Sequence, residues 1–296
     1  MIGLPFRERR MAEAPILAQG WTDYSLLDAG DGMKLERWGR WTLARPDPQA
    51  LWPPAGPWKD WHAWYHRSSQ GGGAWEKRLE LPEEWSVAWG ELKFKVRPTD
   101  FKHTGIFPEQ AANWGWLMEQ ARAAKPMKVL NLFAYTGAAT CALASAGAEV
   151  THVDAAKGMV AWAKENAALN GLQEAPVRWL VDDCQKFVDR EIRRGTLYEG
   201  LILDPPSYGR GKEGEAWKLE KHLWPLLKSC ARLMSPRARF VVLNAYTTGL
   251  SPLVLEHLLA SMMAGRAGSA SAAELCLPIA GGGLLPCGAT ARWCAL

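Results

Sequence analysis

Three aspartates each close a strand-like run: Asp154 after the alternating residues 148–153, Asp183 (with Asp182) after 177–181, and Asp204 after the apolar 200–203. Apolar runs suit strands buried on both faces of a parallel sheet. In an open α/β sheet the carboxyl ends of strands line the ligand crevice. An acid there can accept from ribose hydroxyls, from an adenine amino group or from a substrate. A surface loop would explain any one of them; three in succession favour a site. Asp204 opens the motif Asp-Pro-Pro-Ser-Tyr, which ends at Tyr208. Two prolines stiffen the turn and keep their carbonyls out of a helix. The Pro205 carbonyl then stands as a rigid acceptor beside a carboxylate and an aromatic face. A planar base or amine can stack on Tyr208 and donate to Asp204 and Pro205, with one atom left free to react.

The element that must position these groups is the stretch 128–154, which reads as strand, turn, helix, strand. Val129, Leu130, Leu132 and Phe133 form an apolar run, 134–137 form the turn, and 140–146 are small and helix-compatible. Gly137 can take backbone angles closed to other residues. A strand-to-helix turn with an acid at the tip of the next strand holds adenosine-containing cofactors, the acid taking the ribose hydroxyls. The Gly-x-Gly-x-x-Gly pattern that lets a pyrophosphate approach the backbone is missing. One glycine with Phe133, Tyr135 and Thr136 points instead to a cofactor without phosphates, S-adenosylmethionine. The reaction is then a direct displacement at its methyl group, where positioning supplies most of the rate.

From residue 97 onward, helices at 111–124, 157–170, 185–194, 215–234 and 251–263 alternate with strands at 177–181, 200–203 and 240–243. Two more strand-like runs, 275–279 and 290–295, close the chain. This pattern predicts an α/β fold: a Rossmann-like, seven-stranded, mostly parallel sheet with a terminal antiparallel hairpin. Residues 1–96 differ in kind. Ten of the 17 tryptophans lie before residue 90, in short strands broken by Gly-Asp-Gly at 30–32, a proline-rich loop at 46–58 and Gly-Gly-Gly at 71–73. We read 1–96 as a Trp-rich, β-rich N-terminal domain and 97–296 as the cofactor domain. The tryptophans either fill a small core or stack on exposed bases, and core filling is favoured.

The motifs Asn-Leu-Phe-Ala-Tyr-Thr-Gly-Ala-Ala-Thr (131–140), residues 150–171, Val-Asp-Asp-Cys-Gln-Lys-Phe (181–187) and Leu-Ile-Leu-Asp-Pro-Pro-Ser-Tyr-Gly-Arg-Gly (201–211) occur in one order. Together they resemble a class I S-adenosylmethionine-dependent methyltransferase. The resemblance is to the bacterial group containing the 23S ribosomal RNA large-subunit enzymes that act on cytosine C5 and guanine N7, and it covers about residues 97 to 250. It implies that Asp154 holds ribose and that Asp183, beside Asp182, holds the adenine amino group. Phe133, Ala134, Tyr135, Thr136 and Gly137 would surround the methionine end. The segment 101–110 resembles that group's Lys-Thr-Gly-aromatic stretch, so Thr104 and Gln110 would close over the cofactor. Asp204, Pro205 and Tyr208 would hold the acceptor.

One departure bears on the chemistry. The C5-cytosine members carry a nucleophilic cysteine just after the fifth strand, because C5 must be activated by attack on C6. Here that place holds Asn244, Tyr246, Thr247 and Thr248. A ring or exocyclic nitrogen is therefore the expected target, with Asn244, Tyr246 and Thr247 as substrate contacts. The acceptor is expected to be an RNA base, with ribosomal RNA first. A protein or small-molecule acceptor, and a catalytically silent RNA-binding protein, stay open as alternatives.

Bulk properties agree with an RNA-acting cytoplasmic enzyme without singling it out. The net charge of +4 permits nucleic-acid binding. No apolar run approaches membrane-spanning length. The N-terminus lacks a signal-peptide core, and Met11 is a possible start. Six cysteines at 141, 184, 230, 276, 287 and 294 show no metal spacing, so no metal site is expected. The segment 209–214, through Arg210 and Lys212, could reach a phosphate or could be a solvated loop.

Overall fold

The computed structural model describes residues 14–68, 72–124, 126–210, 216–247 and 249–296. The expectations for Met11 and for Lys212 lie outside them. The N-terminal part contains β1 (Ile16–Leu17), β2 (Tyr24–Gly30), β3 (Met33–Trp38), β4 (Trp41–Pro46), β5 (Ala63–Arg67), β6 (Gly73–Lys77), β7 (Trp85–Trp89) and β8 (Leu92–Val96). Strands β2 to β6 form one sheet in sequence order, and β7 pairs with β8. The β2–β3 turn is built on Asp31 and Gly32, both with positive φ. That geometry matches the twist of a two-residue hairpin.

A 3-10 turn (Pro108–Gln110) leads into α1 (Ala111–Ala123), β9 (Lys128–Leu132), α2 (Ala138–Ser145), β10 (Glu149–Asp154), α3 (Lys157–Leu169), β11 (Val177–Val181), α4 (Cys184–Arg194) and β12 (Gly200–Leu203). Then follow β13 (Tyr208–Arg210), β14 (Ala216–Lys218), α5 (Leu219–Ala231), β15 (Phe240–Ala245), α6 (Pro252–Met262), β16 (Gly268–Pro278) and β17 (Leu284–Ala295). The central sheet runs β1-β16-β17-β15-β12-β9-β10-β11. Strands β15, β12, β9, β10 and β11 are mutually parallel, and β17 is antiparallel to both β15 and β16. This is the mostly parallel sheet with an antiparallel terminal pair that the alternation predicts.

Side chains of the central strands alternate between two layers. Leu130, Leu132, Leu201 and Leu203 pack with α4, α5 and α6, while Val129, Ile202 and Val242 pack with α1 and α2. Both layers are dry, which is why these strands read as continuous apolar runs.

Three details correct the sequence reading. The sheet has eight strands rather than seven, because Ile16 and Leu17 pair with the free edge of β16. Covering an edge satisfies its unpaired backbone groups. The helix expected from residue 215 begins at Leu219, because Ala216–Lys218 pairs with Tyr208–Arg210 in a small hairpin. The final strands are longer than expected and carry a register shift at Leu275/Cys276.

Most N-terminal tryptophans serve the core. Trp38 is fully buried, and Trp21, Trp41, Trp75, Trp85 and Trp89 pack against one apolar cluster with Tyr24, Leu43 and Phe94. That cluster continues into Ile106, Trp114 and Cys141, so one core joins the N-terminal sheets to α1 and α2. Trp114 on α1 meets Trp21, Trp89 and Phe94 at ring distances of 5.2–5.8 Å. Among the described residues, no helix is long and apolar enough to cross a membrane.

Candidate active site

The loop after β9 carries two bulky residues in the left-handed region, Phe133 (φ 56°) and Tyr135 (φ 49°). Side chains rarely adopt that conformation, and it concentrates at functional sites. Gly137 follows at φ 80°, and a Cβ there would meet the Cβ of Ala163 at 2.8 Å. The turn is held from outside. The Tyr135 N–H donates to Asp154 Oδ2 at 2.9 Å, and Asn166 Nδ2 donates to the Thr136 carbonyl at 2.8 Å. The Thr136 hydroxyl donates to the carbonyl of Gly105. Gly105 lies against Trp162 so closely that a Cβ would be 2.2 Å from the ring.

These constraints open a cavity of about 580 Å³ at the carboxyl ends of β9, β10, β11 and β12. Phe133, Tyr135, Asp154, Asp183, Asp204 and Pro205 all line it. An adjoining space of about 50 Å³ is lined by Gln110, Ala134, Thr136 and Gly137, and shares Phe133, Tyr135 and Asp204 with the larger one. Four expected residues line neither, Thr247 among them, whose hydroxyl hydrogen-bonds with that of Ser207. Thr104 is buried behind the wall, with no hydrogen-bond partner for its hydroxyl among the described residues. Asp182 is ion-paired to Arg190. Tyr208 sits on the β13 hairpin and is 52% exposed. The aromatic side chain that the hairpin puts on the cavity wall is Trp217, 5.3 Å from Phe133.

At the β10–β11 end the donor set suits an adenosine. Each Asp154 oxygen accepts one backbone N–H, from Tyr135 and from Ala156 (2.8 Å), which leaves lone pairs for two more donors. Burial raises the Asp154 pKa, and those two N–H groups oppose the rise. Asp183 caps α4 by accepting the Lys186 N–H on one oxygen at 2.8 Å, and among the described residues its other oxygen accepts no hydrogen bond. Ala155, Ala156 and Met159 supply an apolar surface beside these acids. The residues therefore fit a ribose diol and an adenine amino group.

The other half is built around Asp204. Burial, with the Glu109 carboxylate nearby, pushes Asp204 up to about 7. Glu109 is 4% exposed, its Oε2 has no partner among the described residues, and burial raises its pKa as well. Gln110 does not reach toward the adenosine end. Its Nε2 donates to the Tyr246 hydroxyl at 2.7 Å, and its Oε1 accepts from Asn113 and Asn244 at 2.8 and 3.3 Å. Tyr246 is thereby fixed on the cavity wall.

The far wall comes from the N-terminal sheet: Lys34, Arg45 and residues 46–49. Arg45 binds both oxygens of Glu36 (2.6 and 2.8 Å), and the Tyr24 hydroxyl donates to the same carboxylate at 2.8 Å. Burial opposes ionisation of Glu36, but Arg45 and Lys34 outweigh it and hold it at about 2. Lys34 also pairs with Asp47 at 3.1 Å. Sequence reasoning missed Glu109, Trp217 and this wall. Glu109 had a signal, its place beside Gln110; Lys34 and Arg45 lie in ordinary strand sequence.

A buried carboxylate held at about 7 has a cost in stability. The native chain keeps a proton on Asp204 that the unfolded chain releases above its ordinary pKa of 3.8. Stability therefore falls as pH rises through that window and stays reduced above it. Asp204→Asn should raise stability at pH 8 by on the order of 2–4 kcal/mol and change little near pH 4. Urea unfolding at the two pH values checks this. Equal effects at both would mean that Asp204 is not desolvated.

An open α/β sheet of this order, with acids at successive strand ends around a cradle for adenosine, defines a nucleoside-cofactor enzyme of the Rossmann-like class. Residues 63–256 match the family model described as S-adenosylmethionine-dependent methyltransferase, and the chain belongs to that family. A crystal structure of a SAM-dependent methyltransferase from Agrobacterium tumefaciens superposes with a TM-score of 0.91 at 40% identity, covering 97% of each chain. A SAM-dependent methyltransferase structure from Streptococcus mutans shares the fold, with a TM-score of 0.74 at 19% identity over 94% of this chain and 76% of its own. Among curated relatives, the ribosomal RNA large subunit methyltransferase K/L of Shewanella frigidimarina is 33% identical over 172 residues, 57% of this chain. The chain spans only 23% of the length of that relative. The protein is thus an S-adenosylmethionine-dependent methyltransferase.

Proposed function

We propose that the protein methylates a nucleobase nitrogen of RNA, with ribosomal RNA as the first candidate. The observation that carries this is the Asp204–Pro205 turn, a desolvated carboxylate beside a rigid carbonyl, in one cavity with the adenosine acids. The curated relatives, named ribosomal RNA large subunit methyltransferases, support the RNA acceptor. S-adenosylmethionine supplies an electrophilic methyl group on a sulfonium. Asp154 takes the ribose hydroxyls, and the free oxygen of Asp183 takes the adenine amino group. Phe133, Ala134, Tyr135, Thr136 and Gly137 enclose the methionine end.

Asp204 and the Pro205 carbonyl accept the N–H hydrogens of a planar amine, while Trp217 covers its face. That geometry turns the nitrogen lone pair out of the ring plane and toward the methyl carbon. As the new N–C bond forms and the S–C bond breaks, the nitrogen loses a proton to Asp204, which passes it to solvent. Asp204 must therefore be ionised at the start of each turnover. The experiment is methyl incorporation from labelled S-adenosylmethionine into RNA and into total protein from cells lacking this protein. Label in RNA is expected; label confined to protein would end the RNA reading.

Carbon chemistry at cytosine C5 would need a thiolate nucleophile. Cys287 lines the acceptor half of the cavity, but burial, with Glu109 near it, raises its pKa well above the ordinary thiol value. Cys287→Ser should therefore retain methyl transfer within about threefold, since a neutral thiol contributes only packing there. A loss beyond a hundredfold, with cofactor binding intact, would move the target from nitrogen to carbon.

A further inference from the structure

The wall of the cavity holds a cation, on the segment between β8 and α1, that the transfer chemistry does not use. Lys34, Arg45 and Lys102 lie on one wall. The first two are neutralised, Lys34 by Asp47 and Glu36 and Arg45 by Glu36. Lys102 is not. Among the described residues its ammonium meets no carboxylate within 4.0 Å, and its one hydrogen bond goes to the Pro46 carbonyl at 3.4 Å. Its place is nonetheless imposed. Arg45 Nη1 donates to the Lys102 carbonyl at 2.9 Å, so the buried Tyr24–Glu36–Arg45 cluster pins the backbone of this residue. Burial, together with Lys34 and Arg45, lowers the Lys102 pKa against the opposing pull of the Asp47 carboxylate, which is already paired with Lys34. A half-buried ammonium in that position is costly unless an anion completes it. Gln49 adds an uncharged amide to the lining of the same cavity.

We propose that Lys102, held by Arg45 and Pro46 of β4, forms an anion subsite that seats a phosphate of the acceptor nucleotide while its base occupies the Asp204–Pro205 turn. The proposal rests on the nucleobase reading above and adds to it a role for the N-terminal sheet, which holds Lys102 at the cavity. Phosphate contacts position a nucleic acid without reading its sequence, and they are sensitive to salt. The subsite therefore serves orientation rather than base choice.

The test uses the full chain saturated with S-adenosylhomocysteine. Calorimetry compares the four ribonucleosides with their 5′- and 3′-monophosphates, and with inorganic phosphate alone. For at least one base the monophosphate should bind about tenfold more tightly than its nucleoside, a gain that weakens as salt rises. Lys102→Met should reduce that gain to within about twofold and leave S-adenosylhomocysteine affinity unchanged, and Lys102→Arg should keep most of it, since either cation can pair with a phosphate. No phosphate gain in the wild type, or a gain that survives Lys102→Met, overturns the subsite. Binding of inorganic phosphate equal to that of every nucleotide would also overturn it, because the base would then play no part. Methyl label confined to protein, with the Lys102-dependent phosphate gain intact, would instead remove the nucleobase reading and leave an anion subsite for another phosphorylated acceptor.

Discussion

Asp204→Ala should abolish methyl transfer, with a fall on the order of a thousandfold or more, while S-adenosylhomocysteine affinity stays within about threefold. The two effects separate because Asp204 lies at the end of the cavity proposed for the acceptor, while Asp154 and Asp183 stand at the end proposed for the adenosine. Removing its carboxylate takes away both an orienting hydrogen bond and the group that receives the proton. Asp204→Asn keeps the shape and one acceptor oxygen but cannot take a proton, so it should be nearly as inactive. The wild-type rate should fall about tenfold per pH unit on the acid side, because only ionised Asp204 accepts. In the free protein that limb is centred at about 7, set first by burial and then by Glu109. The positive sulfonium of bound donor favours the carboxylate, so under saturating cofactor the limb should move to lower pH. Full activity of Asp204→Ala, or a flat profile from pH 5 to 8, would remove Asp204 from the reaction.

The second large effect concerns the cofactor. Asp154→Ala should weaken S-adenosylhomocysteine binding by about a hundredfold, which corresponds to losing two charge-assisted hydrogen bonds to the ribose diol. The change also releases the Tyr135 and Ala156 N–H groups that the carboxylate now accepts. Tyr135 is held at φ 49°, so the loop after β9 loses a restraint on a strained residue. Asp154→Asn retains an acceptor for one of those N–H groups and should be less damaging than alanine. Calorimetric titration of both variants decides the matter. If Asp154→Ala binds like the wild type, the adenosine lies elsewhere in the cavity.

The half of the site proposed for the adenosine was legible in the sequence because it is local. Asp154, Asp183 and Asp204 each close a strand-like run, and a parallel strand brings whatever follows it to the same edge. Gly137 could be read for a similar reason, since a left-handed turn between β9 and α2 needs it. The acceptor half was only partly visible. Asp204 and Pro205 announced themselves by motif. Tyr208 is exposed on a hairpin, and Trp217 of the facing strand lies on the cavity wall. Pairing of Tyr208 with Lys218 across ten residues decides which aromatic turns inward, and nothing in either segment alone expresses it. Gln110 holds Tyr246 across 136 residues of sequence, so its part in the acceptor wall could not be read from its neighbours.

By itself the amino-acid sequence determined the strand-and-helix alternation, the acids at successive strand ends and the absence of the Gly-x-Gly-x-x-Gly pattern, because period, turn chemistry and glycine placement act over a few residues. Tertiary structure decided the rest. It placed Lys34, Arg45 and Lys102 on the acceptor wall, and it removed enough water from Asp204 to hold its carboxyl at about 7. Both depend on desolvation and Coulomb interactions between distant segments, which exist only once the N-terminal sheet has packed against the cofactor fold.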